Sequence, residues 1–480
     1  MINSITMNLR GIALCLIIGG SPLVGFFEDD TFEVGVAVAD ITPEELGWMA
    51  GYSARKGPAE KVLEPIFAKA ITMEDGESNR LVIVTMDLIG VPRPFRDAIE
   101  TALQSKFGLP GDALLINASH THSGPMIRVY EPPGGKGEVK AAYENVPEEE
   151  QALRVKQTQD YLKFLEEKVI GIVDEAFKSA APSTLHWSKS RCGFAINRRL
   201  PAEAGKWKNS PNPEGPIDHE VPVLQVKSRE DGKLKAVLFG YSCHATVLSL
   251  MEISGDWPGY AQRYFEEDHP GVVAMFVNGC SGDQNPYPRR MLRFAQRHGQ
   301  SMATAIEAAL DTPSVALTGP LRSDLSWVDI AYQEPPGKET LERKAESADK
   351  YEARHAAFLL EILEEGGTLP TSYPVPVQVF RFGNEMTMAT LGGEVVIDYS
   401  LRLKKELSEL TGGKPVWVAG YSNDVMTYIP SERVLKEGGY EGGEAMRFAR
   451  STIHPAPWEP GIEDKLVGEI VRMTRALLEP

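Results

Sequence analysis

The segment Asn117–Pro125, NASHTHSGP, places two imidazoles two positions apart directly after the apolar run Asp112–Ile116. That run reads as a buried strand ending at a polar turn. In α/β sheets, ligands and metals are held at the C-terminal ends of strands, so His120 and His122 would both project into a crevice. One imidazole of such a pair can ligate a metal while the other handles protons. Two further strand ends add to the set. His244 follows the β-rich run Lys235–Tyr241 in FGYSCHATVLS, and Glu394 follows the apolar stretch Met386–Leu391 in MATLGGEVV. His, His and Glu suit Zn²⁺, which takes imidazole and carboxylate in tetrahedral geometry and keeps one position for water when the site is catalytic. Mn²⁺, Fe²⁺ and Co²⁺ accept the same ligands with different affinity. Taken singly, His244 could be a satisfied core histidine and Glu394 a solvated or helix-starting carboxylate; it is the set that points to a metal.

These residues need a framework that delivers strand ends to one place. Strand-like runs at Val34–Val38, Leu81–Met86, Leu114–Ile116, Ala236–Tyr241, Val272–Val277 and Pro415–Ala419 alternate with helical patterns at Phe95–Phe107, Gln151–Ser179 and Arg289–Leu310. The alternation predicts an α/β fold, a mixed or parallel sheet core with flanking helices, with each motif in a loop after a strand. Gly337–Gly366 reads as one long solvated covering helix and Glu463–Leu478 as a terminal one. The Pro- and Gly-rich loops Glu131–Gly137 and Asn209–Gly215 are candidate rims or lids. Cys243 stands beside His244, but neighbouring residues on a strand face opposite ways, which sends Cys243 to the core rather than to nucleophilic work.

The chain has 480 residues, 42% hydrophobic and 24% charged, the composition of a globular protein able to bury a large core. A net charge of −17 argues against nucleic acid or an anionic membrane surface as the main partner. Arg10 precedes the apolar stretch Gly11–Gly25, which is too short and too broken by Gly and Pro to span a membrane. It reads as a signal-peptide core, so residues 1–26 are expected to be an export signal and the product periplasmic or extracellular, with membrane association left open. No transmembrane span is expected. Cys192, Cys243 and Cys280 are odd in number and unpaired in spacing, so no disulfide framework is implied.

On a set of motifs in fixed order, the sequence resembles the N-terminal catalytic domain of the neutral/alkaline non-lysosomal ceramidases. They are VGVAVADITP (Val34–Pro43), MAGY (Met49–Tyr52), IVTMD (Ile83–Asp87), ASHTHSGP, the His244 segment, SGDWPGYA (Ser254–Ala261), NGCSGDQNP (Asn278–Pro286), GGE (Gly392–Glu394), and TYIPSE followed by YEG (Thr427–Gly442). The resemblance implies one domain over residues 32–480. It also implies one Zn²⁺ per chain held by His120, His244, Glu394 and Tyr428, and cleavage of an N-acyl amide bond by attack of a zinc-bound hydroxide. It further implies that His122 shuttles a proton, that Tyr440 donates a hydrogen bond near the reacting carbonyl, and that a cation in AINRR, Arg198 with Arg199 beside it, orients or polarises the substrate.

Two departures bear on the substrate. The family's G-D-x-S-P-N frame is here Gly282-Asp283-Gln284-Asn285-Pro286, so Asn285 stands where the family has an active-site serine, with Ser281 near but out of register. An amide can donate and accept hydrogen bonds but is bulkier than a hydroxyl and cannot be a nucleophile. The chain ends at Pro480, which the resemblance reads as a member without the further β-sandwich domain. Both departures point to a small-molecule or lipid amide that is smaller or more polar than ceramide. A zinc esterase or lactonase, and a non-catalytic metal- or ligand-binding homologue, are the alternatives.

Overall fold

Strand Glu220–Ser228 shows in miniature why the chain forms layers. Val221 and Val223 are buried on one face, with Phe265, Met302 and Ile306. Leu224 and Val226 are buried on the other, with Phe380 and Trp417. The same two-residue period divides Val237 and Phe239 from Ala236 and Leu238, and Phe276 from Met275 and Val277. A sheet with both faces apolar must be covered on both sides. Helices Asp256–Asp268 and Leu292–Leu310 pack on the first face, and a second sheet packs on the other. That second sheet also splits its residues: Phe380, Phe382 and Trp417 face the large sheet, whereas Val377, Val379 and Val418 face helices Ile397–Leu410 and Ile462–Leu478. This stack of helices, sheet, sheet and helices holds the principal core.

The computed structural model describes residues 31–130, 139–141, 147–448 and 452–479. The expected export signal and the loop Glu131–Gly137 lie outside the described residues. The large sheet runs in the order Val273–Asn278, Leu234–Tyr241, Glu220–Ser228, Ala181–Arg191, Phe32–Asp40, Phe67–Glu74, Arg80–Met86, Leu114–Ala118, with Val315–Leu317 added beside Ala181–Arg191. Its pairs are antiparallel except at the two ends, where Leu234–Tyr241 runs parallel to Val273–Asn278 and Arg80–Met86 parallel to Leu114–Ala118. The two edge strands approach one another: Asn278 gives its backbone N–H to Asn117 Oδ1 at 2.9 Å and its side-chain amide to the Ser119 carbonyl at 3.1 Å. In the second sheet, Met386–Leu391 runs parallel to Val416–Ala419. Curling thus brings the C-terminal ends of six parallel-paired strands to one side. The long helix Gln151–Lys178 lies against Phe32–Asp40 so closely that a Cβ on Gly35 would fall 1.7 Å from the Ala176 carbonyl oxygen.

The fold is the expected α/β arrangement, with several local corrections. Gly337–Gly366 is two helices, Lys338–Ala345 and Lys350–Glu364, because the Asp349 carboxylate accepts the Tyr351 N–H and starts the second one. The helix expected from Arg289 begins at Leu292, since Arg290 has φ +79°, outside helical space. Asp112 belongs to a short 3₁₀ turn, and the strand after it runs Leu114–Ala118. The long antiparallel strands Ala181–Arg191, Glu220–Ser228, Leu321–Ala331 and Ser372–Phe382 carried no continuous apolar signal. Leu321–Ala331 shows why, since most of its residues are only half buried. Cys192, Cys243 and Cys280 are buried free thiols, and burial pushes Cys192 up to about 11 and Cys243 well above its ordinary value. Such groups are not nucleophiles at neutral pH. No helix among the described residues is long and apolar enough to cross a membrane.

Candidate metal centre and its cavity

Just past strand Leu114–Ala118 the backbone turns at His120, whose φ of +61° lies in the left-handed region that non-glycine residues rarely adopt. The turn is held by the His120 N–H on the Leu88 carbonyl and the Ser119 N–H on the Met86 carbonyl, each at 2.9 Å. His120 Nδ1 lies 2.6 Å from the Ile89 carbonyl, and His244 Nδ1 lies 2.5 Å from the Ser281 carbonyl. A carbonyl can only accept, so both rings carry their proton on Nδ1 and turn an Nε2 lone pair inward. Those two Nε2 atoms stand 3.1 and 3.3 Å from Glu394 Oε2, a buried oxygen with no hydrogen-bond donor among the described residues. Three electron-rich atoms in mutual contact repel unless a cation lies among them.

Protonation states point the same way. Burial, with Arg198 next, holds His244 down to about 3. Burial, then His120 and His244, holds His122 well below the ordinary imidazole value. Neutral imidazoles around an ionised carboxylate are the form in which these groups ligate a metal. One donor atom from each of His120, His122 and His244 lies within 4.8 Å of the others. The donor set fits a divalent ion such as Zn²⁺.

Glu394 and Tyr428 arrive together. They are register partners in a two-residue parallel pairing, with the Glu394 N–H on the Thr427 carbonyl at 2.8 Å. This pairing needs glycine at position 393, where φ is +78° and a Cβ would lie 2.8 Å from the Thr427 carbonyl oxygen. The Tyr428 hydroxyl is 3.4 Å from His244 Nε2 and accepts from Arg198 Nη2 at 2.9 Å. Tyr440 stands edge-on to Tyr428, ring centres 5.2 Å apart, and is 38% exposed at the cavity mouth.

His122 sits beside His120, Nε2 to Nε2 3.1 Å, and its buried Nδ1 has no partner among the described residues. Its ring is 4.9 Å from that of Tyr52. Gly51 makes room for it: φ there is +99°, and a Cβ would fall 2.5 Å from His122 Cγ. Gly51→Ala is therefore expected to displace the His122 ring and to destabilise the fold by about 1–3 kcal/mol, through both the clash and the left-handed backbone. Chemical denaturation and the side-chain ¹⁵N resonances of His122 would show it, and unchanged resonances would contradict the close fit.

The adjacent arginines diverge. Arg198 turns inward, Nη1 lying 3.2 Å from His244 Nε2 and 3.4 Å from Asn285 Oδ1. Arg199 turns outward to Glu437, the Gly438 carbonyl and the face of Trp207. Glu441 joins them, taking Arg198 Nε on one oxygen and Arg199 Nη1 on the other, both at 2.7 Å. Asn285 is committed within the wall, its Nδ2 donating to Asn209 Oδ1 at 3.0 Å. Ser281 contributes its backbone carbonyl to His244, which matches its position out of register.

The cavity above these groups has a volume of about 650 Å³. His120, His122, Arg198, Asn285, Glu394, Tyr428 and Tyr440 line it, and His244 lies buried beneath. All eight residues singled out in the sequence therefore meet at one place. Sequence reasoning passed over Glu441, although it stands inside the YEG motif. It also passed over Tyr421, whose ring centre lies 4.5 Å from that of His120 and whose φ is +51°; no local pattern marks that residue. The loop Asn209–Gly215 is a rim fastened to the arginine segment: the Asn212 N–H meets the Asn197 carbonyl, and its side chain meets the Arg199 carbonyl.

Residues 32–132 match the family described as neutral/alkaline non-lysosomal ceramidase, N-terminal. A neutral ceramidase of Drosophila pseudoobscura pseudoobscura is 32% identical over 123 residues, 25% of this chain and 17% of that protein. Neutral ceramidase A of Dictyostelium discoideum is 25% identical over 285 residues, 55% of this chain and 37% of its own length. The matches thus span less than two thirds of these relatives. The crystal structure of neutral ceramidase from Pseudomonas aeruginosa superposes with a TM-score of 0.68 at 20% identity, covering 94% of this chain and 75% of that one. A ceramidase complexed with C2 gives 0.69 at 20% identity, covering 93% and 75%. At that identity the likeness is one of fold.

Proposed function

We propose, from the premise that this chain belongs to the neutral/alkaline non-lysosomal ceramidase family, that it is a zinc-dependent hydrolase of a linear N-acyl amide. The observation that carries this reading is the unpartnered Glu394 Oε2 facing the inward Nε2 atoms of His120 and His244 at the floor of the cavity. His120, His244, Glu394 and Tyr428 would hold the ion. When bound, Zn²⁺ acts as a Lewis acid and lowers the pKa of a coordinated water to about 7.

The protein's own groups do the rest. His122 is neutral at physiological pH, opens on the cavity and has a vacant Nδ1, so it can take up a proton and return it to the leaving nitrogen. Arg198, clamped by Glu441, presents a fixed guanidinium edge to a substrate oxygen. Tyr440, at the mouth, offers a hydroxyl to the acyl carbonyl, and a fixed donor of this kind is worth roughly 3 kcal/mol where negative charge develops. Asn285 shapes the wall beside Arg198 and fills space that a serine would leave open.

The test couples metal content to turnover on a panel of N-acyl amides and matched esters. Wild-type protein is expected to hold about one zinc per chain and release free amine. His120→Ala and His244→Ala should lose the metal, whereas His122→Ala should keep it and lose about 10²–10⁴-fold in kcat. Equal metal loss in all three would make His122 a ligand and remove its proton-handling role. Zinc-loaded protein that releases acid from esters alone would replace the amidase reading with an esterase. Release from neither would end the hydrolase reading.

A further inference from the structure

Four arginines, Arg128, Arg198, Arg289 and Arg290, line the cavity, against one carboxylate among its described lining residues, Glu394. Two of the four are spoken for. Arg198 is neutralised by Glu441, and Arg128 donates to the Val425 carbonyl. Arg289 and Arg290 form no ion pair with any described residue. Arg289 lies over the ring of Tyr287 at 5.3 Å, and Arg290 over that of Tyr52 at 5.6 Å, with Nη1 3.5 Å from the Tyr52 hydroxyl. The carboxylate that feels Arg290, Asp256, is fully buried and already accepts the N–H groups of Val247, Leu248 and Trp257. Burial lowers the Arg289 pKa, and the neighbouring Arg290 charge adds to the lowering. Arg290 is exposed at the edge of the cavity; its φ is +79° and its N–H meets the Val247 carbonyl at 2.7 Å.

In a chain of net charge −17, two neighbouring guanidinium groups that pair with no acid among the described residues ask for an anion from outside. We infer that the substrate carries an oxyanion, a carboxylate or a phosphate, which Arg289 and Arg290 bind on the Tyr52 side of the cavity. Guanidinium forks match both groups through paired, charge-assisted hydrogen bonds. Met426, Ala445 and Phe448, which also line the cavity, are apolar and suit hydrocarbon. This deepens the amide-hydrolase reading and rests on it for the scissile bond, not for the anion.

The experiment compares N-lauroylglycine, N-lauroylethanolamine and the O-phosphate of the latter as substrates and, by calorimetry, as ligands. The proteins are the wild type and the variants Arg289→Met, Arg290→Met and the double substitution, which keep apolar side chains at the same places. Wild type should favour an anionic compound over the neutral one by about 10- to 100-fold in kcat/KM, expressed mainly in KM and weakening as salt rises. The double variant should lose most of that ratio. The carboxylate and phosphate arms decide which anion is meant. Equal kcat/KM for anionic and neutral compounds, or a preference that survives the double substitution, would overturn the inference while leaving the hydrolase intact. If nothing is cleaved, calorimetry decides: arginine-dependent binding of an anionic compound, at least tenfold tighter than the neutral one, upholds the anion site although the hydrolase reading has failed. Absence of such binding removes both.

Discussion

Replacing Glu394 by glutamine is expected to reduce metal affinity by at least about 10²-fold and to abolish turnover, while the apoprotein unfolds near the wild-type midpoint. The carboxylate is the only anionic member of the expected donor set, and its Oε2 lies 3.1 and 3.3 Å from the two inward imidazole nitrogens. Glutamine keeps the shape but turns either a neutral oxygen or an NH₂ group to the centre. Added zinc should raise the wild-type midpoint in a concentration-dependent way, because a ligand that binds only the folded state stabilises it by mass action. It should leave the variant's midpoint nearly where it was. Metal content by mass spectrometry and melting with and without zinc make the measurement. A glutamine variant that holds one zinc per chain and melts like the wild type in its presence would refute the assignment.

The second large effect is expected at Glu441, 4% exposed, which receives one arginine on each oxygen. Glu441→Ala leaves two buried guanidinium groups short of their counter-charge, a change that costs about 3–5 kcal/mol when a buried pair loses one partner. Glu441→Gln retains an acceptor and should cost less. Burial would raise the Glu441 pKa, but Arg198 and Arg199 outweigh it and lower the value. A folded-state pKa below the unfolded one means that this stabilisation is present above pH about 4.5 and lost as pH falls through the folded value. The gap between wild type and Glu441→Ala in urea denaturation should therefore be full at pH 7 and shrink below pH 4. A cost under about 1 kcal/mol at pH 7 would show that the arginines find water or other acceptors instead.

Much of the centre was legible before the fold was known. The H-x-H pair sits directly after an apolar run, and the strand end that delivers it is a local feature, set by the hydrophobic pattern of Leu114–Ala118 and the polar residues that follow. Helices Gln151–Lys178 and Leu292–Leu310 were readable for the same reason, each being long enough for its apolar stripe to repeat. Strand Ala181–Arg191 of the large sheet was not. Its residues alternate between buried and partly exposed, which leaves alternation but no run.

Residue type alone determined the chemistry available to this protein. Histidines, a carboxylate and tyrosines in this order can hold a borderline metal ion and move protons, and those properties belong to the side chains wherever the chain puts them. Only the tertiary structure decided how they are used. It turned Arg198 toward His244 and Tyr428 and Arg199 toward Glu437, placed Glu394 level with Tyr428 through a two-residue pairing, and turned both imidazoles inward through the carbonyls of Ile89 and Ser281. It also set Arg289 and Arg290 at the cavity, where neither forms an ion pair with a described residue. Each of these outcomes depends on which distant segment lies alongside, and such contacts follow from the packing of whole sheets, for which no local stretch of sequence carries a signal.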